Sequence, residues 1–184
     1  METKAIFLDR DGVINEEVNY LSDPNDFKFI EGSLEALKLL KEMDYLLIII
    51  TNQAGIARGY FSEEMLKEIH AKMIQILKQN DIKLTDIFYC PHHPDFTGPC
   101  NCRKPNPGMI LQAREKYKIN LKNSFIVGDT LIDIKTGIAG GCQTVLVLTG
   151  YGLEEQQKIN EIIPDFIFAS LLEFAKNLKL DSKL

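Results

Sequence analysis

The chain has no tryptophan and only three histidines among its 184 residues. No apolar stretch approaches the length of a membrane span, so a membrane protein is not expected. Positive charge is in deficit: 21 Lys and Arg against 26 Asp and Glu leave a net charge of -5. That balance disfavours nucleic acid or an anionic membrane as partner, and an anionic substrate would need a local cluster of cations. The N-terminus lacks the basic, apolar and cleavage regions of a secretory signal, and its first apolar run is broken by Asp9, so a cytoplasmic protein is expected. There is no internal repeat, low-complexity tract or linker, and residues 1–184 read as one domain with a sizeable core. With no obvious exposed apolar face, monomer is the expected state.

Cysteine is sparse but unevenly placed. Of four, Cys90, Cys100 and Cys102 share one short stretch, which in a reducing compartment points to metal before disulfide. Cys142, isolated in Gly140-Gly141-Cys142-Gln143, reads as a small packed residue.

What is present is an alternation of short apolar runs with helical patterns. The runs fall at 5–8, 45–50, 86–89, 124–127, 144–148 and 165–168, several of them apolar on both faces as buried parallel strands are. Ser33 is placed to cap a helix carrying Leu34, Leu37, Leu40 and Met43. Ser62 is placed to cap a second, with the stripe Leu66, Ile69, Met73, Ile76 and Leu77 facing the core. Asn106-Pro107 opens a third with proline at its first position. A fourth follows Asp129 and ends at Gly140-Gly141, and a last one occupies about 170–178, before a charged, frayed tail. The expected fold is α/β: a Rossmann-like, doubly wound, mostly parallel sheet with helices on both faces and no large cap domain. The connection from Asn15 to Glu31 is long for such a fold, which suggests function.

The residues that end each run carry the chemistry. The first run is followed by Asp9 and Asp11, the second by Thr51-Asn52-Gln53, the third by Cys90-Pro91-His92 and the fourth by Gly128-Asp129. In a parallel sheet these ends lie along one edge, where ligands bind. If the first run stays extended, Asp9 and Asp11, at i and i+2, face one spot. Asp9, Asp11 and Asp129 suit Mg²⁺, which takes oxygen ligands alongside water and phosphate. Thr51, Arg103 and Lys104 suit the oxygens of a phosphoryl group, whose transfer depends on positioning and charge neutralisation. The helix after Asp129 would aim its first amides at the same anion. Asp133 reads equally as a partner for metal-bound water or Lys104 and as a first-turn acid favoured by the helix dipole.

The stretch 90–105 offers Cys-x-His and then Cys-x-Cys, a tetrahedral Zn²⁺ set of Cys90, His92, Cys100 and Cys102. His92 is preferred because its spacing from Cys90 mirrors that of Cys100 and Cys102, and His93 is the alternative. Four protein ligands leave no open position, so the role is structural: clamping the loop fixes where Arg103 and Lys104 point.

Together, Asp9-x-Asp11-Gly12, Thr51-Asn52, Lys104 and Gly128-Asp129-x-x-x-Asp133 resemble the haloacid dehalogenase-like phosphatases. The longer strings Asp9–Asn15, Thr51–Gly59, Cys90–His93 and Cys100–Pro105 are similar to those of the heptose bisphosphate phosphatases in its histidinol-phosphatase-like group. The resemblance implies a small phosphorylated sugar as substrate. It implies that Asp9 is the nucleophile and forms an aspartyl-phosphate, and that Asp11 is general acid and then base. It places Mg²⁺ on the Asp9 carboxylate, the Asp11 backbone carbonyl and Asp129. It gives phosphate or sugar contacts to Thr51, Asn52, Arg103 and Lys104, and further substrate contacts to Arg10, Gln53, Ala54 and the segment Glu17, Val18, Asn19 and Tyr20. Thr130 stands where these heptose enzymes often carry a basic residue, which takes a cation out of the sugar pocket. Histidinol-phosphate phosphatase is the alternative within enzymes. A phospho-receiver domain is the alternative outside them, but its adjacent acids and mid-sheet acceptor Asp are missing here.

Overall fold

All six apolar runs form strands, with their ends shifted by a residue or two. The computed structural model describes residues 2–181. The strands are β1 (Ala5–Leu8), β2 (Leu46–Asn52), β3 (Asp86–Cys90), β4 (Phe125–Gly128), β5 (Gln143–Val147) and β6 (Phe166–Phe168). They make one sheet in the order β3-β2-β1-β4-β5-β6, with every pair parallel. The helices are α1 (Ser33–Glu42), α2 (Glu63–Gln79), α3 (Pro94–Thr97), α4 (Gly108–Tyr117), α5 (Leu131–Gly140), α6 (Gly152–Gln156) and α7 (Leu171–Asp181).

Side chains alternate across a strand, so a sheet covered on both faces needs apolar residues at every position. Ile6, Leu8, Leu47 and Ile49 turn to one face, where they pack with Leu37 and Leu40 of α1, Ile69 and Met73 of α2 and Phe174 of α7. Ala5, Phe7, Ile48 and Ile50 turn to the other, against Met109, Ile110 and Ala113 of α4. On that second face Gly137 lets α5 lie so close to the sheet that a Cβ there would stand 2.2 Å from Ile126. The chain runs outward from β1 to β3 over one face and from β4 to β6 largely over the other. The strand order therefore reverses between β1 and β4, and their carboxyl ends open a crevice.

Two expected helix starts move. Ser33 is the first residue of α1 and not its cap. Gly32, at φ 80°, holds the cap position, and the Ser33 hydroxyl lies 3.0 and 2.8 Å from the carbonyls of Ile14 and Ile30, where it anchors the preceding loop. Pro107 is the cap residue of α4, which starts at Gly108. Ser62 does cap α2, accepting from the Met65 amide at 3.2 Å, and α5 ends as expected at Gly141 with φ 79°. The Asn15–Glu31 connection is closed on itself by a bridge between Asn15 and Phe29 and carries a 3-10 turn at Pro24–Asp26. The last helix continues to Asp181, past the end expected near 178, and the rest of the charged tail lies outside the described residues. Among the described residues, no helix is long and apolar enough to cross a membrane.

Candidate active site

Four strand ends meet at the crevice. A cavity of about 260 Å³ there is lined by Asp9, Asp11, Glu17, Val18, Asn19, Tyr20, Leu21, Thr51, Asn52, Gln53, Ala54, Gly55, Arg103, Lys104, Thr130 and Ile132. A larger cleft of about 550 Å³, mainly apolar, lies at the end of α2, away from the strand ends that carry Asp9 and Asp129.

At the floor, Lys104 is 4 % exposed and its ammonium bridges two carboxylates, Asp9 Oδ2 at 2.9 Å and Asp133 Oδ1 at 2.6 Å. The Lys104 backbone is held as firmly: its amide donates to Asn52 Oδ1 at 3.0 Å and its carbonyl accepts from Asn52 Nδ2 at 3.1 Å. Asn52 therefore works on Lys104, with both ends of its amide engaged. Asp133 reaches back with its second oxygen, which accepts from the Thr130 hydroxyl at 2.6 Å and the Thr130 amide at 3.3 Å. Both readings of Asp133 thus hold, the ion-pair partner and the first-turn acid. Thr130 lines the pocket with its hydroxyl committed to this cap. The Leu131 amide donates to Glu155 at 3.0 Å, so that amide of α5 already has an anionic partner.

Asp9, Asp129 and Asp133 offer carboxylate oxygens within 4.8 Å of one another. Burial drives the Asp9 carboxyl up to about 6 against the opposing charge of Lys104. Burial, with Asp9 and Asp133 beside it, drives Asp129 up to about 8. Three acids with one ammonium between them form a site short of positive charge, as a cation site is. Asp129 is also wedged between backbones: a Cβ on Gly12 or Gly150 would come within 2.1 Å of its Oδ2, and the Tyr151 amide donates to that oxygen at 2.9 Å.

Asp11 differs. The chain does not stay extended after β1 but turns at Arg10, whose carbonyl accepts from the amides of Ile14 and Asn15. The Asp11 carboxylate consequently stands apart from the three-acid group. Arg10 grips it through two bonds, Nε to Oδ1 at 3.1 Å and Nη2 to Oδ2 at 2.9 Å, and Asn15 and Gln53 add donors at 2.9 and 3.1 Å. Burial works to raise its pKa, but the Arg10 charge and these hydrogen bonds outweigh it and hold the carboxyl below the usual range. Arg10, expected among the substrate contacts, is 0 % exposed and lies beneath the pocket.

Glu17, Val18, Asn19 and Tyr20 come from the long connection and form one wall. Tyr20 adopts φ 59°, in the left-handed region that bulky side chains rarely enter, and its ring meets Tyr60 edge-on at 4.7 Å. Burial, with Asp11 and Asp9 nearby, pushes Glu17 up to about 7.

At the end of β3 and in the loop that follows it, Cys90 Sγ, His92 Nδ1, Cys100 Sγ and Cys102 Sγ cluster, with neighbours 3.0 to 3.7 Å apart. No disulfide links them, and the spacing suits one four-coordinate ion at their centre. His93 is outside this group, and its Nε2 is 2.9 Å from Arg58 Nη2. Arg103 follows directly and donates to the His92 carbonyl at 3.1 Å.

Relatives resemble this chain in sequence over nearly its whole length. It is 42% identical over 181 residues to the D-glycero-beta-D-manno-heptose-1,7-bisphosphate 7-phosphatase of Haemophilus influenzae, covering 96% of this chain and 97% of that one. The chain belongs to the heptose-1,7-bisphosphate 7-phosphatase family. A family relative from Photorhabdus laumondii, named for the alpha anomer, is 46% identical over 171 residues, 90% of this chain and 93% of its own. The HAD-hydrolase-like family model matches residues 101–174. The solved D,D-heptose 1,7-bisphosphate phosphatase of B. bronchiseptica, complexed with magnesium and phosphate, superposes with a TM-score of 0.90 at 35% identity, covering 97% of this chain and 99% of that one. As a heptose-bisphosphatase family member, the protein is a hydrolase of the haloacid dehalogenase type, with the Rossmann-like α/β fold expected from its strand pattern.

Some parts of this family site were not read from the sequence. Leu21, Gly55 and Ile132 line the pocket, and Arg58 links the loop after β2 to the cysteine loop. The only sequence signal for Ile132 was its place three residues after Asp129 in the helix that follows β4; its 44 % exposure is a feature of the fold.

Proposed function

We propose that this chain removes the 7-phosphate of D-glycero-D-manno-heptose 1,7-bisphosphate, releasing heptose 1-phosphate and inorganic phosphate. The observation that carries the reading is the Asp9 carboxylate at the pocket floor, 2.9 Å from buried Lys104 and beside Asp129, in a chain so similar to enzymes of that name.

Asp9 attacks phosphorus; its new O–P bond forms as the ester P–O bond breaks, and Asp11 donates a proton to the departing sugar oxygen. Water then attacks the aspartyl-phosphate, Asp11 takes the water's proton, and phosphate leaves with Asp9 restored. In the resting protein Asp11 is a carboxylate, the form that accepts a proton. A phosphate dianion arriving beside it opposes the Arg10 charge and favours the acid form that the first step requires. Lys104 neutralises charge at Asp9, while Thr51 and Arg103 face the phosphoryl oxygens. Asp9 and Asp129, with the Asp11 backbone carbonyl, would hold Mg²⁺, and the crowded, proton-hungry acids fit that ion. When bound, Mg²⁺ supplies charge neutralisation at the phosphoryl oxygens. Cys90, His92, Cys100 and Cys102 would hold a structural Zn²⁺, which fixes the direction of Arg103 and Lys104.

We read the working form as a single-domain cytoplasmic monomer with no nucleic-acid or membrane partner. Free cysteines gathered in a metal-type cluster suit a reducing compartment, and a monomer mass by light scattering is expected.

Side-by-side turnover of the alpha and beta heptose bisphosphates and histidinol phosphate tests the reading. One equivalent of phosphate per heptose bisphosphate is expected, with the sugar product keeping its C1 phosphate and chelation abolishing release. A higher kcat/KM for histidinol phosphate would overturn it.

A further inference from the structure

Arg10 is a permanently charged side chain sealed under the active site at 0 % exposure, and a buried charge is tolerated only when its donors are satisfied. One edge of its guanidinium grips Asp11 through Nε and Nη2. A third nitrogen, Nη1, lies 3.2 Å from Nε2 of His70. His70 is on α2, 7 % exposed, with its ring edge-on to Tyr89 at 6.1 Å. The rest of the buried face of that helix is Leu66, Ile69, Met73 and Leu77, so among its buried residues His70 alone is polar.

We propose that His70 is a positioning residue for proton transfer to the leaving group: by accepting from Arg10 it fixes the guanidinium that aims Asp11. The proposal rests on the reading of Asp11 as general acid. Burial and the Arg10 charge lower the His70 pKa to about 3. The ring is neutral at working pH, so its Nε2 is the acceptor and its proton sits on Nδ1. A guanidinium fork is planar and rigid, and two bonds to Asp11 plus one to a helix leave it a single orientation. Without the third bond the plane can rotate and carry the Asp11 carboxylate with it. A misplacement of about 1 Å is enough to cost a proton-transfer step heavily.

The test compares leaving groups. The sugar oxygen of heptose bisphosphate leaves as a poor, strongly basic alkoxide and needs an acid, whereas 4-nitrophenoxide leaves without one. Because kcat/KM reports the steps through the first bond cleavage, His70→Phe should lower it about tenfold or more for heptose bisphosphate. For 4-nitrophenyl phosphate it should change little, with Mg²⁺ affinity unchanged. His70→Gln, which keeps an acceptor, should recover most of the loss. An equal fall on both substrates, or none, overturns the proposal. Asp11→Asn run in parallel separates the two ideas: if it too fails to discriminate between leaving groups, the reading of Asp11 is what falls. Should His70→Phe not fold, His70→Gln against His70→Asn, whose acceptor is too short to reach Arg10, makes the same comparison.

Discussion

Lys104 faces Asp9 and Asp133 at once, at 2.9 and 2.6 Å, and is itself only 4 % exposed at the floor of the pocket. Removing one partner of a buried pair leaves the others uncompensated, so Lys104→Met should lower the stability of the metal-free protein by about 3 kcal/mol in urea unfolding. It should also lower kcat more than it weakens Mg²⁺ binding. At Asp9 itself, Asp9→Asn should abolish turnover and the burst of labelled phosphoenzyme; retained labelling would exclude Asp9 as nucleophile. Asp9, Asp129 and Lys104 were legible as residues because each directly follows a strand end or the cysteine cluster. Arg10 was not. Period-two alternation sends it to the face opposite Asp9, but the turn closed by Ile14 and Asn15 buries it below the pocket, where it becomes the partner of Asp11 and His70.

Among the elements, the loop at 90–105 and the start of α5 aim the site's charges. Chelating zinc, or replacing Cys100 and Cys102 by serine, should raise KM and lower kcat while isothermal titration still shows Mg²⁺ binding, because Asp9 and Asp129 directly follow β1 and β4 and lie outside the cysteine loop. A Cys100→Ser, Cys102→Ser protein holding as much zinc as the parent would refute the ligand set. Thr130→Ala should cost about 1 kcal/mol of stability, the usual loss of a helix cap, and should slacken Asp133 and with it Lys104. The α5 boundaries were readable from Asp129 and Gly140-Gly141. The α1 start was misread because Ser33 has the chemistry of a cap, while tertiary contact with Ile14 decides its use.

For the whole molecule, the crowded acids link stability to pH. Asp9, Glu17 and Asp129 have folded pKa values raised to about 6, 7 and 8, above those of an unfolded chain. The folded state therefore binds more protons across this window, and stability falls as pH rises through it. The depressed Asp11 acts oppositely only at pH below the ordinary carboxylate range, and His70, lowered from 6.5 to about 3, acts oppositely up to about pH 6.5, one group against three. Thermal unfolding of the metal-free protein should show Tm declining from about pH 5 to about pH 8. Added Mg²⁺ should raise Tm most at the alkaline end and least at the acid end, where protons compete for Asp9 and Asp129. A Tm of the metal-free protein that climbs over this range would contradict the crowding.

The order of apolar runs and the polar residue closing each one were enough to determine a parallel sheet, the edge at which its polar residues gather, and the family. Both are local: a run covered on two faces can only be an inner strand, and the polar residue after it must emerge at the strand's end. Tertiary structure alone decided how the charges pair. Arg10 and His70 are 60 residues apart, and Asn52 and Lys104 are 52 apart. Such contacts depend on the crossovers that bring α2 and the cysteine loop over the sheet, and no local pattern encodes the direction in which a buried charge finds its partner.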